Sequence, residues 1–350
     1  NYFFKQEKLL MTHRLTRRQA LKTAAVSAGL IMGRGKIQNA HAWPPGPEEN
    51  VVRDLTPGST PIRLADNIKR NGKESPEEMI KRKREAGYTA VKGARHPGGN
   101  MGEPWHSLTD SERLEVIKAC KKYDVVVYEV GGYTNLIHPE TARRQINLKR
   151  LAHCIEVAES VNCPMVGTIS GSCDPVNFFN VHPENWTLNT WKLLVASIRQ
   201  VLRDTSGMKA ALGIEAQVTT NVDSPQAHRR LMDDVGDTRC AVNLDPVNMI
   251  SLSNYYHTTE LINECFDLLG ESILGCHAKD TYIWPDRQTV HVQEVCPGKG
   301  VLDFETYLVR MSRLKWPRAL ESEHIEPEEY SEARTYIEKV AAKNGIKIYG

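Results

Sequence analysis

An excess of charge of one sign is what this sequence lacks most clearly. Its 45 lysines and arginines are nearly balanced by 43 aspartates and glutamates, which leaves a formal net charge of +2. Proteins that bind nucleic acid usually carry a strongly basic surface, so we expect no nucleic-acid partner. The short basic run at 81–84 is expected to lie on a solvated helix face.

A hydrophobic run long enough to cross a membrane is also missing. A membrane helix needs about 20 apolar residues, and the apolar run at 23–32 is well short of that length. This run follows Arg17 and Arg18 and precedes a small-x-small sequence ending at Ala42, an arrangement typical of a twin-arginine export signal. We therefore predict that residues 1–42 are an N-terminal extension and signal peptide, cleaved after Ala42, and that the exported, periplasmic protein has no stable membrane span. An amphipathic N-terminal helix is the alternative interpretation.

No two cysteines have the CxxC spacing of a zinc ribbon or a redox dithiol. The eight cysteines are spread between Cys120 and Cys296. Several fall on apolar faces of predicted helices and strands, where a free thiol packs like a small hydrophobic side chain. Export allows disulfides, but the spacing indicates no particular pairing.

What the sequence does have is a regular alternation of short apolar segments with amphipathic ones, after a linker at 43–59 that is rich in proline and glycine. The predicted strands lie at 61–68, 89–94, 125–130, 164–169, 210–217, 240–244, 273–278 and 318–323. The predicted helices start after Ser75, Thr109 and Ser224, or lie at 140–161, 188–204, 258–269, 304–314 and 328–343. Such alternation is typical of a parallel sheet with crossover helices. Eight units predict a single-domain α/β protein, a (β/α)8 TIM barrel at 60–350; an open doubly wound sheet is disfavoured because no GxGxxG turn follows the first strand.

Four successive predicted strands place acids or an imidazole at or near their C-terminal ends. These residues are Glu215, Asp245, His277 and, in the last strand, Glu321 and Glu323. In a barrel these ends form the mouth of the active site, where neighbouring buried carboxylates repel one another. A divalent cation removes the repulsion, and several carboxylates with one imidazole suit a hard ion, Mn²⁺ before Mg²⁺, Co²⁺ or Zn²⁺. The alternative is that each residue is an ordinary salt-bridged strand end.

Short motifs around these residues resemble those of the xylose isomerase-like barrel superfamily, in the sugar phosphate isomerase/epimerase branch that includes the tagatose/psicose 3-epimerases. The motifs are GIEAQ with Glu215, NLDPVN with Asp245, HAKD with His277, and PGKGVLDF followed by ESEH with Glu323. The spacing after PGKGVLDF selects Glu323 over Glu321. The resemblance implies that Glu215, Asp245, His277 and Glu323 bind one metal ion. It also implies that Glu215 and Glu323 act as the catalytic acid/base pair.

Other polar residues near the predicted strand ends are candidate substrate contacts. The epimerases usually have a histidine where this chain has Asn248, which can hydrogen-bond a hydroxyl but does not titrate near neutrality. Lys279 could steady an oxyanion, and Lys92, His96 and Glu129 could contact sugar hydroxyls. A structural role at the rim is the alternative for each. The stretch at 284–299 is long for a loop and could form a lid.

Together these features predict a metal-dependent sugar isomerase or epimerase that works through an enediolate. One glutamate removes a proton beside the carbonyl group and the other returns it. A lyase that acts on 3-keto-glycosides at the same metal site is an alternative, and so is a non-catalytic periplasmic sugar-binding barrel. The expected partner is a small carbohydrate, and the sequence allows a homo-oligomer.

Overall fold

Eight parallel strands close into a barrel in the computed structural model, which describes residues 53–93 and 103–350. The barrel strands are β1 (Arg63–Asn67), β2 (Ala90–Gly93), β3 (Val126–Gly131), β4 (Met165–Ile169), β5 (Ala211–Glu215), β6 (Cys240–Leu244), β7 (Ile273–Ala278) and β10 (Ala319–Ser322). Each strand pairs in parallel with its neighbours in sequence, and β1 pairs with both β2 and β10 to close the ring. The predicted (β/α)8 barrel is therefore confirmed.

Helices follow the barrel strands, as the alternating pattern predicts. Within the described residues they are α1 (Pro76–Glu85), α2 (Asp110–Tyr123), α3 (Thr141–Ser160), α4 (Leu188–Asp204), α5 (Pro225–Val235), α6 (Thr258–Leu269), α7 (Phe304–Ser312) and α8 (Tyr330–Lys343). Ser75 and Thr109 cap α1 and α2 through reciprocal hydrogen bonds with Glu78 and Glu112, the capping box that the sequence pattern indicates. None of the helices in the described part of the chain has the length and apolar character that a membrane crossing requires.

A two-stranded antiparallel hairpin lies where the sequence predicts only a long loop. Its strands are β8 (Asp280–Ile283) and β9 (Val292–Val295). The sequence pattern missed β9 because three of its four residues are exposed, so it has no buried face to produce apolar alternation. The hairpin directly follows β7 and therefore belongs to the C-terminal face of the barrel.

The floor of the barrel interior is apolar. A small cluster of buried side chains fills it: Ala65, Ala90, Tyr128, Met165 and Ala319. Gly213 and Gly275 face Met165, and a β-carbon at either position would clash with that side chain. A much larger apolar core, which includes residues of the strands and of the surrounding helices, encloses this floor.

The predicted signal segment at 1–42 lies outside the described residues, as does most of the linker at 43–59, so both stay predictions. All eight cysteines lie within the described residues, and all are free thiols. Seven of them are buried, as expected where a thiol packs like an apolar side chain.

We predict that His228 makes the fold sensitive to mild acid. It is buried in α5 with 1% exposure, and burial lowers its pKa to about 4 from 6.5. The unfolded chain therefore binds a proton between these values that the folded chain does not bind, so stability falls as the pH drops from 6.5 towards 4. Between pH 7 and pH 5 this one group should lower the free energy of unfolding by about 1–2 kcal/mol.

Denaturant unfolding at pH 7 and pH 5 checks this expectation. The variant His228→Leu should lose less stability over that interval than the parent protein. His291→Leu, a change at a half-buried surface position, should behave like the parent. An unchanged pH dependence in His228→Leu would contradict the assignment.

Candidate metal centre

Four residues that the sequence marks as candidate metal ligands lie at the C-terminal rim of the barrel. Glu215 is the last residue of β5, His277 is next to last in β7, and Asp245 and Glu323 directly follow β6 and β10. Because the strands are parallel, these positions all lie at one end of the barrel. The sequence thus places four polar side chains on one ring.

The structure brings these four side chains together. Each offers one ligand atom, and the four atoms all lie within 4.8 Å of one another. Nδ1 of His277 lies 3.7 Å from Oε2 of Glu215, 3.6 Å from Oδ2 of Asp245 and 3.2 Å from Oε2 of Glu323. Such mutual distances allow one ion to reach all four atoms.

The atoms that face one another are short of other partners. Among the described residues, Asp245 Oδ2, His277 Nδ1 and Glu323 Oε2 are buried and make no hydrogen bond, although Lys279 Nζ lies 2.7 Å from Asp245 Oδ2. Buried polar atoms are rarely left in this state. Three carboxylates and one imidazole, three of the four with an atom that makes no hydrogen bond, fit a divalent cation.

The ionisation of these acids is set by burial and by neighbouring cations. Burial raises the pKa of Glu215 above its usual value. Burial opposes ionisation of Asp245 as well, but Lys279 and His277 hold its pKa below the usual value. The site thus has an ionised Asp245 anchored by Lys279 and a Glu215 that takes up a proton more readily.

Two polar side chains orient Glu215. The hydroxyl of Tyr133 donates a hydrogen bond to Glu215 Oε2 over 2.7 Å, and the amide of Asn248 donates one to Glu215 Oε1. Asn248 was predicted as a substrate contact, and the structure places it beside this carboxylate. The sequence analysis did not identify Tyr133. It lies in the loop after β3, and no motif or strand-end position distinguishes it from other tyrosines.

Lys279 lies inside the site. It is 1% exposed, and its ammonium nitrogen lies 3.4 Å from Glu323 Oε2 and 3.2 Å from Asn248 Oδ1. Glu294 of the hairpin strand β9 also reaches Lys279, with Oε1 3.3 Å from its nitrogen. The hairpin therefore contributes a carboxylate to the rim, a contact that the loop prediction did not include.

Asp280, the first residue of β8, fastens the base of this hairpin. Its carboxylate accepts hydrogen bonds of 2.9–3.0 Å from the backbone N–H groups of Thr281, Gly298, Gly300 and Leu302. A β-carbon at Gly300 would clash with Thr281 and Asp280. The PGKG motif is therefore a close-packed turn that holds the hairpin to the barrel.

A second polar layer lies around the Nε2 edge of the His277 ring. Glu129 and Glu321 are both fully buried there. Glu129 accepts a hydrogen bond of 3.1 Å from Asn243. Glu321 accepts bonds from Tyr128 and, over 2.6 Å, from Asn67. Glu129 is not among the residues that line the large cavity of the rim, so its predicted contact with a sugar stays a prediction. His96 lies outside the described residues.

A cavity of about 980 Å³ opens beside Glu215 and Glu323, two of the four candidate ligands. Glu215, Glu323, Lys92 and Tyr133 line one part of it. The lining also includes a group of aromatic side chains, namely Phe178, Phe179 and Tyr330. Glu215 and Glu323 are therefore accessible to a molecule that enters from solvent, whereas Asp245 and His277 are not part of the cavity lining.

The site can be compared with known proteins. The family model described as xylose isomerase-like TIM barrel matches residues 80–340. Endonuclease IV from Thermus thermophilus shares 14% identity and a TM-score of 0.59, over 80% of this chain and 99% of that one. A D-psicose 3-epimerase crystallised in the presence of D-fructose shares 13% identity and a TM-score of 0.58, over 81% and 98%. The 3-keto-D-glucoside 4-epimerase from E. coli shares 16% identity and a TM-score of 0.54, over 81% and 99%.

At these identities the likeness to solved structures shows the fold alone. None of the curated protein sequences matches this chain.

We expect the purified chain to bind about one divalent ion at this centre. Asp245→Asn and His277→Gln should each weaken Mn²⁺ binding at least about tenfold, which corresponds to about 1.4 kcal/mol, because each removes a charged or strongly donating ligand. Metal content after dialysis, measured by mass spectrometry, and a Mn²⁺ titration check the expectation.

The control variant is Glu332→Gln. Glu332 belongs to a different cluster near Cys296, is exposed, and pairs with Lys299 at 2.9 Å. It should bind Mn²⁺ like the parent protein. Full metal content in Asp245→Asn would exclude the centre described above.

Proposed function

Starting from the fact that the chain belongs to the xylose isomerase-like TIM barrel family, we propose that it is a metal-dependent isomerase or epimerase of a small carbohydrate. The observation that supports this most strongly is the convergence of four ligand atoms, from Glu215, Asp245, His277 and Glu323, within 4.8 Å. Two of these residues are glutamates from different strands, which is what a proton transfer with separate donor and acceptor requires.

In this proposal the four residues hold one divalent ion, Mn²⁺ before Mg²⁺, Co²⁺ or Zn²⁺. Such an ion stabilises the negative charge that develops on a sugar oxygen when the neighbouring C–H bond loses its proton. Glu215 and Glu323 carry the protons. One takes the proton from carbon, and the other returns a proton to the opposite face of that carbon in an epimerisation, or to the adjacent carbon in an isomerisation.

The surroundings of the two glutamates suit them to different tasks. Burial raises the pKa of Glu215, which favours it as the proton donor, while the hydrogen bonds from Tyr133 and Asn248 hold its carboxyl group in position. Burial opposes ionisation of Glu323, but His277, Lys92 and Lys279 keep its pKa well below the usual value, so it enters the reaction as a carboxylate. Lys279 lies beside Asp245 and Glu323 but is not among the residues that line the cavity, so its contact with a substrate oxygen stays a prediction.

Two other classes fit the residues less well. A nuclease like endonuclease IV would need a basic surface for its substrate, whereas this chain has a net charge of only +2. A non-catalytic sugar-binding barrel would not need a cluster of buried acids, which is costly to keep in a fold. The proposed export by a twin-arginine signal at 1–42 favours a sugar without a phosphate group.

One observation favours a lyase acting on 3-keto-glycosides as a second candidate. The cavity of about 980 Å³ is at the upper end of the range of about 300–1,000 Å³ that accommodates drug-sized ligands. It extends from Glu215 and Glu323 to Phe178, Phe179 and Tyr330, which gives room for a second ring beyond the sugar. The same proton abstraction followed by loss of the group at the β-carbon would make an elimination.

We expect Glu323→Gln to lower turnover by about 10²–10⁴-fold, because the amide cannot accept a proton. The circular dichroism spectrum should stay unchanged. Turnover is measured as wash-in of deuterium from D₂O into carbon-bound positions of the substrate by NMR. The control Glu332→Gln should react like the parent protein, and full activity in Glu323→Gln would exclude this residue as a proton carrier.

The products distinguish the two candidate reactions. Incubation in D₂O with a set of ketoses and 3-keto-glucosides should give deuterium on carbon without elimination, if the enzyme is an isomerase or epimerase. An unsaturated ketone together with the released alcohol would instead identify a lyase. A metal-loaded protein that gives neither outcome with any of these sugars would count against both.

A further inference from the structure

Lys92 occupies a position that is built like a second cation site. It is the third residue of β2 and is 2% exposed. Its ammonium nitrogen lies 3.1 Å from Glu323 Oε1, 3.2 Å from Glu321 Oε2 and 3.6 Å from Glu129 Oε1. One ammonium group therefore stands between three carboxylates, where it balances only one of their charges.

Glu323 connects this position with the proposed metal centre. Its Oε2 faces Nδ1 of His277 at 3.2 Å, while its Oε1 faces Lys92. A carboxylate that offers one oxygen to each of two cations is the usual bridge in sites with two metal ions about 3.5–4 Å apart. Glu323 is arranged like such a bridge, but its Oε1 contacts the ammonium group of Lys92 where a second metal ion would lie.

The acids around Lys92 also resemble a ligand set. Glu129, His277 and Glu321 each offer one ligand atom, and these atoms lie within 4.8 Å of one another. Among the described residues, Glu129 Oε1 is buried and makes no hydrogen bond. Gly167 leaves the space for this oxygen, since a β-carbon there would clash with it. Glu129 and Glu321, which are fully buried, and Glu323, whose side chain is 14% exposed, thus form a cage of three carboxylates around the ammonium group of Lys92.

We propose that Lys92 is a built-in second cation: its ammonium group occupies the carboxylate cage of Glu129, Glu321 and Glu323 in place of a second metal ion, and so limits the centre to one ion. This inference rests on the proposed metal centre. It makes Lys92 a positioning residue, because the ammonium group holds Glu323 Oε1 and leaves Oε2 to face His277. The inference also implies that removing Lys92 is enough to create a two-metal site, with no need to add a metal ligand.

The charges of the site explain why a lysine can fill this role. The cage carries up to three negative charges, and an uncompensated buried carboxylate is strongly destabilising. A lysine on β2 compensates part of that charge permanently and cannot be lost to a chelator. Without Lys92, the uncompensated negative charge of the cage would attract a divalent ion, as the charge of the proposed metal centre would.

The experiment compares the Mn²⁺ stoichiometry of the full chain and of Lys92→Ala. Both are stripped with a chelator, dialysed against excess Mn²⁺, and measured for bound metal by mass spectrometry and for spin coupling by electron paramagnetic resonance. We expect one Mn²⁺ in the parent protein and two in Lys92→Ala, with a coupled dimanganese signal only in the variant. Lys92→Ala combined with Glu129→Gln and Glu321→Gln should return to one.

Lys83→Ala is the matched control. Lys83 also lines the cavity and pairs with a carboxylate, Asp66, at 2.5 Å, but it is not in contact with His277 or with the cage. It should bind one Mn²⁺. A second ion in Lys83→Ala would show that loss of any lysine near the cavity recruits metal, and would overturn the specific role of Lys92.

The remaining outcomes separate this inference from the proposed function. If the parent protein binds no Mn²⁺, the metal centre itself is wrong and the inference falls with it. If the parent and Lys92→Ala both bind one ion, or both bind two, the metal centre stands and the role of Lys92 is refuted. A merely structural lysine would change stability without changing this count.

Loss of Lys92 could also impair folding, and the inference makes a prediction for that case. Mn²⁺ should then replace the missing charge, so Lys92→Ala should be recovered when Mn²⁺ is present and should gain more in melting temperature from Mn²⁺ than the parent protein. Failure to recover the variant in Mn²⁺, while the version with Glu129→Gln and Glu321→Gln folds, would overturn the proposal.

Discussion

The mutual repulsion of carboxylates is the constraint on which the structure of the C-terminal half of this barrel depends. Glu129, Glu215, Asp245 and Glu321 are buried inside it, and Glu323, with a side chain 14% exposed, lies beside them. Only two lysine side chains, Lys92 and Lys279, reach them from within the described barrel strands and the residues that directly follow them. Because buried charges are stable only when compensated, the rest of the site can be understood as the arrangement that supplies the missing positive charge.

The barrel itself could be predicted because its signals are local. Apolar runs bounded by turns mark each strand, and two of them, Cys240–Leu244 and Ile273–Ala278, have the bounds that the sequence indicates. The strand at β5 ends earlier than its pattern suggests. Gln217 donates its backbone N–H to Val222 in a turn, and the sequence has no marker for the loss of strand pairing after Glu215. Such errors concern the ends of the strands and helices, while the order and the type of these elements follow from the hydrophobic periodicity.

The site was predictable only as far as its residues lie at strand ends. Glu215, Asp245 and His277 could be identified in this way. For the last strand the pattern left both Glu321 and Glu323, and the motif spacing of the family resemblance selected Glu323. Tyr133 reaches the site from a loop and Glu294 from the hairpin strand β9, while Asp280 holds that hairpin to the barrel. The path of these segments depends on contacts between distant parts of the chain. The four backbone hydrogen bonds of Asp280, for example, join residues up to 22 positions away, so no local pattern of the sequence reveals them.

Glu321 and Glu323 point to the same side of the strand, so the alternation of side chains does not show which one can bind a metal. Their different depths in the barrel do. Side chains two residues apart in a strand point to the same face, so both glutamates are directed into the barrel. Glu321 lies within β10, where Asn67 and Tyr128 hydrogen-bond its carboxylate. Glu323 follows the strand, and its Oε2 faces His277. Because β10 ends at Ser322, the deeper glutamate is bound by the protein's own donors, while the outer one keeps at the rim an oxygen that makes no hydrogen bond. The position of the strand end therefore decides which of the two glutamate side chains is free to act as a metal ligand.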